Sequence, residues 1–175
     1  MTELNEPRMV EPAEHFCDAY LDYMEDFRAA GEPLWNNADV DRSSFAAYVH
    51  RLLAESRGEG LPDGHVPQQT LWLLKSGRIL GDCDIRWQLN EALEDHGGHI
   101  GYGIRPSDRR KGYGTLMLRL ALGRARERGL RRVLLTCDVE NVASSRVIEH
   151  NGGRLASQSY SERAGRMTKR YWIEL

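Results

Sequence analysis

One stretch constrains this chain more than any other: His99-Ile-Gly-Tyr-Gly-Ile-Arg-Pro-Ser-Asp-Arg-Arg-Lys-Gly-Tyr-Gly-Thr115. A short strand pattern, His99–Arg105, ends at Pro106, which cannot donate to a sheet ladder. A basic, glycine-bearing loop follows, and an amphipathic helix opens inside it. The spacing predicts that helix over Gly112–Arg128, with Tyr113, Leu116, Met117, Leu120 and Ala121 on one face and Gly129 as its stop. The first N–H groups of such a helix have no intrahelical acceptor, and its dipole makes that end partly positive. A loop feeding it binds phosphate. Gly112 and Gly114 remove side chains that would keep a diphosphate from the backbone, and Arg109, Arg110 and Lys111 add charge. An exposed basic turn is the plainer reading of Arg-Arg-Lys-Gly alone, but strand, proline, loop and helix in this order argue against it. Other nucleotide motifs fit poorly. There is no G-x-x-x-x-G-K-[ST], and Gly101-Tyr-Gly103 lacks a third glycine and a following helix.

Around this stretch the pattern is mixed α/β. A short strand is predicted near Leu4–Val10 and a helix over residues 12–30, where Phe16, Ala19, Tyr20, Tyr23, Met24 and Phe27 recur at helical spacing. A second helix follows Ser43 or Ser44, either of which fits an N-cap. Gly58–Gln69 reads as a long loop. Strands are predicted over Thr70–Lys75 and Ile79–Leu89, joined by a tight turn at Ser76-Gly77. Asn90–Gly98 reads as a polar loop or irregular hairpin. Beyond the central helix come a buried strand, Arg132–Asp138, a short helix, Val142–His150, and two closing strands near Arg154–Ser161 and Met167–Glu174. Antiparallel hairpins at both ends argue against a doubly wound parallel sheet.

At 175 residues the chain fits one domain, and 41% hydrophobic with 29% charged residues excludes wholesale disorder. No apolar run reaches the roughly 18 residues of a membrane span. The acidic N-terminus has no apolar stretch, which predicts neither a secretory signal nor a transit peptide. Cys17, Cys83 and Cys137 are too far apart for a disulfide framework or a CxxC zinc site and suit a cytoplasmic setting. The net charge of −2 argues against nucleic acid as a partner. It conceals an asymmetry. The first 32 residues carry nine acids against Arg8 and Arg28, whereas Arg105–Arg132 carries nine arginines and Lys111 against Asp108 and Glu127.

Arg109-Arg-Lys-Gly112-Tyr-Gly114 resembles the R-x-x-G-x-G/A signature of the GNAT superfamily of acetyltransferases, and Ile104-Arg-Pro106 resembles the V-x-P that ends its preceding strand. Asn141-Val-Ala-Ser144, after Thr136-Cys-Asp138 and before Asn151-Gly152-Gly153, looks like the family's second motif. The resemblance covers residues 70–175. It implies a mixed, mostly antiparallel sheet of six to seven strands flanked by about four helices, with splayed central strands forming a cofactor cleft. It divides the domain, 1–175, into a variable acceptor-side region, 1–69, and a cofactor-binding core, 70–175. The implied cofactor is acetyl-coenzyme A, a co-substrate, with no metal. Its pyrophosphate would lie on the backbone from Arg109 to Thr115, including Tyr113, with Arg109, Arg110 or Lys111 reaching outward. Pantetheine would add to the backbone of Ile104 and Arg105, and Asn141 and Ser144 would contact it. Asn141 also fits a helix N-cap. Family members are often dimers, so a homodimer is among the implied partners.

Two departures stand out. The tyrosine that many members use to protonate the leaving thiolate is replaced by Ile148, and Gly97–Tyr102 holds no carboxylate to act as base. His99 and Tyr102 are the nearest substitutes. Strand alternation puts His99 with Gly101 and Gly103 on one face, and Tyr102 with Ile104 on the other. Glu91, Asp95 and His96 lie in the preceding loop and are candidates to line an acceptor pocket. His96-Gly-Gly-His99 lacks a third metal ligand, and Cys137 reads as core. The leading function is transfer of an acetyl group to a primary amine. Asp22, Glu25 and Asp26 on the acidic first helix suit a cationic acceptor such as an aminoglycoside or polyamine. A protein or amino-acid amine is the alternative acceptor, and a non-catalytic acyl-coenzyme A sensor the alternative of another class.

Overall fold

A computed structural model describes residues 6–34 and 38–175. The elements in chain order are β1 (Arg8–Val10), α1 (Cys17–Ala29), α2 (Phe45–Ser56), β2 (Gln68–Lys75), β3 (Arg78–Arg86), α3 (Glu91–Asp95), β4 (Ile100–Ile104), α4 (Tyr113–Glu127), β5 (Arg132–Asp138), α5 (Val142–His150), β6 (Arg154–Ser161) and β7 (Arg166–Glu174). The predicted order holds, with local differences. Leu4 and Asn5 lie outside the described residues. The first helix opens with a 3-10 turn, Glu14–Phe16. Ser44, one of the two expected residues, stands at the α2 N-cap, but its side chain caps no amide of the helix; Asp41 accepts from the Ser44 amide at 2.8 Å and from the hydroxyls of Ser43 and Ser44. These bonds hold its carboxyl at about 2. The predicted loop Asn90–Gly98 contains α3, capped by the Asn90 side chain, which accepts from the Leu93 amide.

The strands form two sheets rather than one, ordered β1-β2-β3-β4 and β5-β7-β6, and every pairing is antiparallel. The first sheet has a core on each face. Tyr20, Tyr23, Phe27, Phe45 and Tyr48 from α1 and α2 cover Trp72, Leu74 and Ile79. Met117, Leu118, Ala121 and Ala125 from α4 cover Leu71, Leu73, Cys83 and Ile85, and join Ile148 and Tyr171 of the second sheet's side.

A seam joins the sheets at the start of β4. The His99 amide donates to Leu134 O at 2.8 Å, and the Leu134 amide donates to His99 Nδ1 at 2.9 Å. Gly98 sits so close that a Cβ there would lie 2.4 Å from Leu134 O. Beyond the seam, β4 pairs with β3 alone and β5 with β7 alone. The mouth between β4 and β5 is therefore lined by strand backbone with no sheet partner. Arg86 N–H bonds to His99 O and Arg105 N–H to Leu80 O, so the alternation of an antiparallel pair turns the His99 carbonyl, the backbone of residues 101 and 103, and the Arg105 amide toward β3. The amides and carbonyls of Tyr102 and Ile104 face the mouth.

Candidate functional site

The mouth opens into a cavity of about 650 Å³ between β4, the loop after it, and the N-terminal ends of α4 and α5. Tyr102, Gly103 and Ile104 form one wall, Asn141, Ala143, Ser144 and Val147 the other, and Arg109 through Thr115, without Lys111, the end.

At that end the backbone makes the site. Arg110 has φ 60° and Gly112 has φ 83°, a left-handed conformation that favours glycine at the N-cap. The first intrahelical bond of α4 is Leu116 N–H to Gly112 O, so the amides of Tyr113, Gly114 and Thr115 have no helical acceptor, and no side chain caps them. A Cβ on Gly112 would meet nothing within 4 Å, so the glycine serves conformation and access there. Gly114 serves packing as well: its Cβ would come within 3.3 Å of Val147. The arrangement suits an anion with several oxygens.

The charged side chains divide differently from the sequence expectation. Lys111 turns away, donating to Ser107 O and to Asp108, and does not line the cavity. Arg109 lines it, but its guanidinium holds Glu32 through two bonds of 2.7 and 2.8 Å and donates to Ile104 O. Those Arg109 bonds hold the Glu32 carboxyl below its ordinary value. Arg110 lines the cavity with no ion pair to a described residue. Arg105 is corrected outright. Its amide is bound to Leu80, and its side chain, 3% exposed, is clamped by Asp26 at 2.6 Å and Asp22 at 2.8 Å. Neither group faces the mouth; only Ile104 of the expected pair does.

On the other wall, Asn141 both lines the cavity and caps α5, its side chain accepting from the Ser144 amide at 3.0 Å. Ser144 Oγ lies 3.2 Å from Tyr102 Oη. Of the two catalytic candidates, only Tyr102 reaches the cleft. Burial, then the neighbouring Arg132 and Arg86, push His99 down to about 4, and its Nδ1 is occupied by the Leu134 amide. It is 7% exposed and does not line the cavity. His99 joins the sheets rather than accepting protons. Burial pushes the Tyr102 phenol up to about 12, against the Ser144 bond, so it stays protonated at neutral pH. It suits a proton donor, not a base. Ile148 is buried core.

The acidic candidates for acceptor binding also lie elsewhere. Asp26 accepts from Arg105 and from the amide and hydroxyl of Ser107. Burial raises its pKa, but these bonds overcome it and leave the carboxyl below its ordinary value. Asp22 pairs with Arg105 and Arg78, Glu25 with Arg28, and exposed Glu91 lines no cavity described here. His96 pairs weakly with Asp138 at 3.7 Å, and among the described residues no group of three metal-ligating side chains exists.

The carboxylates that sequence reasoning missed are Asp82 and Asp84. Alternation puts both on the α1 and α2 face of β3, directly opposite Gly103 and Gly101 of β4. The signal was legible: two acids two apart, Asp82-Cys83-Asp84, inside an otherwise apolar strand. Tyr23 Oη donates to Asp82 at 2.5 Å. Asp84 accepts from Thr70 Oγ1 at 2.6 Å and lines a second cavity of about 280 Å³.

Residues 12–154 match a family model described as an acetyltransferase (GNAT) domain. Three of the similar solved structures illustrate the likeness. The microcin C7 self-immunity acetyltransferase MccE, in complex with acetyl-CoA and AMP, is 13% identical with a TM-score of 0.70 over 97% of this chain and 93% of that one. RimJ of Mycobacterium smegmatis, in complex with CoA-disulfide, is 19% identical with a TM-score of 0.71 over 98% and 83%. RimL, a ribosomal L7/L12 alpha-N-protein acetyltransferase in complex with coenzyme A, is 17% identical with a TM-score of 0.68 over 95% and 93%. No curated protein matches the chain. At these identities the structural likeness speaks for the fold.

Proposed function

From the premise that the chain belongs to the GNAT acetyltransferase family, and so is an acyl-coenzyme A-dependent N-acetyltransferase with acetyl-CoA as co-substrate, we propose that it transfers the acetyl group by direct attack of a primary amine. The donor lies in the mouth between β4 and β5. Its diphosphate sits on the uncapped amides of Tyr113, Gly114 and Thr115, with Arg110 beside it. Pantetheine runs along Tyr102 and Ile104, and Asn141 and Ser144 close the other side. The Tyr102 or Ile104 amide is placed to donate to the thioester oxygen as it becomes an oxyanion. The division into an acceptor-side region, 1–69, and a cofactor core, 70–175, is part of this reading.

The observation that carries the reading is the Tyr102–Ser144 contact in the cleft wall. With Ile148 in the core and Tyr113 at the diphosphate end of the cavity, Tyr102 is the phenol beside the proposed thioester that can protonate the departing thiolate, and Ser144 can resupply its proton. The test is thiol release from acetyl-CoA with a panel of amines. Tyr102→Phe should lower kcat about 10²-fold, within the range for general acid–base groups, with acetyl-CoA affinity little changed. An unchanged kcat would remove Tyr102 from the mechanism.

The acceptor class rests on separate observations. The field of Asp22 and Asp26 that favoured an aminoglycoside or polyamine is largely answered by Arg78 and Arg105. RimL is described as an alpha-N-protein acetyltransferase and MccE as a microcin self-immunity acetyltransferase, so small amines and chain N-termini both belong in the panel.

A further inference from the structure

We propose that the second cavity is the acceptor subsite, that Asp84 receives the ammonium proton there, and that the acceptor carries an anionic group close to its primary amine. This rests on the acetyl-transfer reading above and names the acceptor side of the same site. The cavity is walled by Gly64, His65 and Val66 of the loop before β2, by Asp84 and Arg86 of β3, and by Arg163 of the β6–β7 turn, among others.

Position argues first. Asp84 is directly opposite Gly101, and Tyr102, the next residue, lines the cofactor cavity. Opposite residues of a hydrogen-bonded antiparallel pair lie roughly 5.5 Å apart at Cα. Gly101 and Gly103 place no side chains on the face that carries Asp84 and Asp82. On this face, then, the two β4 residues opposite the carboxylates put no side chain between Asp84 and the strand segment where the thioester is proposed to lie.

Chemistry argues second. Asp84 is 6% exposed, yet Thr70 holds only Oδ1. Oδ2 has Arg86 at 3.9 Å, beyond hydrogen-bond distance. Burial raises its pKa, against Arg86 and Thr70, which moves the carboxyl toward the range of a useful base. The other charged and titratable groups around it include Tyr48, Arg51 and Glu55 of α2, Asp82 and Cys83 of β3, and His65 in the cavity wall. The cavity otherwise carries two guanidiniums, Arg86 and Arg163, against this one carboxylate. A polycation is repelled by that wall, whereas an ammonium flanked by a carboxylate or phosphate matches it.

The step balances. The ammonium gives one proton to Asp84 Oδ2, which releases it to solvent. The amine lone pair attacks the thioester carbonyl carbon, the C–S bond breaks, and the thiolate leaves. The second nitrogen proton is lost to solvent as the amide forms, the thiolate takes one proton from Tyr102, and solvent returns a proton to Tyr102 through Ser144. The products are the acetamide, coenzyme A thiol and one net proton.

The test compares phosphoethanolamine, 4-aminobutyrate, ethanolamine and spermidine as acceptors, read as thiol release. At least one of the two anionic amines should exceed ethanolamine and spermidine at least tenfold in kcat/KM, and the better one names the anion. Asp84→Asn should lower kcat at least 10²-fold and abolish the acid limb of the pH profile, with the acetyl-CoA Kd unchanged by calorimetry. Asp84→Glu should restore part of the rate and the limb. Should Asp84→Asn fail to fold, Arg163→Ala at an exposed turn serves instead. It should raise KM for the anionic amine at least fivefold and leave that for ethanolamine unchanged. Equal or better use of spermidine or ethanolamine, no acceleration by either anionic amine, a kcat within threefold in Asp84→Asn, or no change of KM in Arg163→Ala overturns the proposal. Acetyl-CoA binding by the wild-type protein, measured in the same calorimetry, stands or falls separately and tests the cofactor site alone.

Discussion

The two faces of the β-sheet that ends in β4 treat their polar groups in opposite ways. On the α4 face, Tyr113, Gly114 and Thr115 point unpartnered amides into a cavity, and Arg110 stands beside them without an ion pair to a described residue. On the α1 face, Asp22 and Asp26 close on Arg105 and Arg78, and Asp108 joins them through Arg78 and Lys111. By charge count the second region looks the richer site. By pairing it is a brace that fixes the diphosphate loop to the first helix, since Ser107 is bonded to Asp26 through both amide and hydroxyl. A local excess of charge therefore says little about binding until its partners are known.

The largest effect that separates brace from site is on stability. Asp26→Ala leaves the buried Arg105 guanidinium short of its closest partner and should cost about 3–5 kcal/mol in urea unfolding. Glu25→Gln, one position away but exposed, should stay within about 0.5 kcal/mol. Near-equal costs would mean that the acids of α1 are not a brace.

The seam should show itself through pH. The folded pKa of His99, about 4, lies below its unfolded value, so native His99 stays neutral where the unfolded chain takes a proton. Its contribution is full above about pH 6.5 and is lost as pH falls from there to about 4. The whole swing is about 3 kcal/mol. His99→Asn keeps an acceptor for the Leu134 amide and should flatten that stretch of the stability curve. A slope unchanged in His99→Asn would place the titration elsewhere.

A smaller effect tests Glu32, which with Asp108 is one of two acids among the described residues that line the donor cavity. Glu32 holds Arg109 and so competes with the diphosphate for it. Glu32→Gln should tighten acetyl-CoA binding a few-fold, about 0.5–1 kcal/mol, in keeping with an exposed pair. Weaker binding would mean that Glu32 supports the site instead.

The donor side was legible in sequence because its determinants are contiguous. A strand, a proline, a glycine loop and a helix within seventeen residues, His99–Thr115, specify backbone amides, and backbone geometry follows local sequence. The helices α4 and α5 and strand β5 fall within a residue or so of their expected bounds for the same reason. What the sequence concealed depends on residues far apart in the chain. The pairing of Arg105 with Asp26, the Arg109–Glu32 clamp and the His99–Leu134 seam are contacts that no local pattern encodes. α3 was hidden because its five residues, Glu91–Asp95, are too few to display a helical period. Asp82 and Asp84 were visible as an anomaly in an apolar strand, but their meaning depends on the glycines opposite them.

The central claim is that acetyl-CoA lies between β4 and β5 with its diphosphate on the α4 N-terminus. Its most direct test is a titration of acetyl-CoA followed by backbone amide NMR. The account predicts that the largest shifts fall on the amides of Gly112–Thr115, Tyr102 and Ile104. In Gly112→Asp these shifts should vanish, while the amides of β5 and β7 keep their free positions. Saturable shifts confined to other elements, or wild-type shifts that persist undiminished in folded Gly112→Asp, would contradict it.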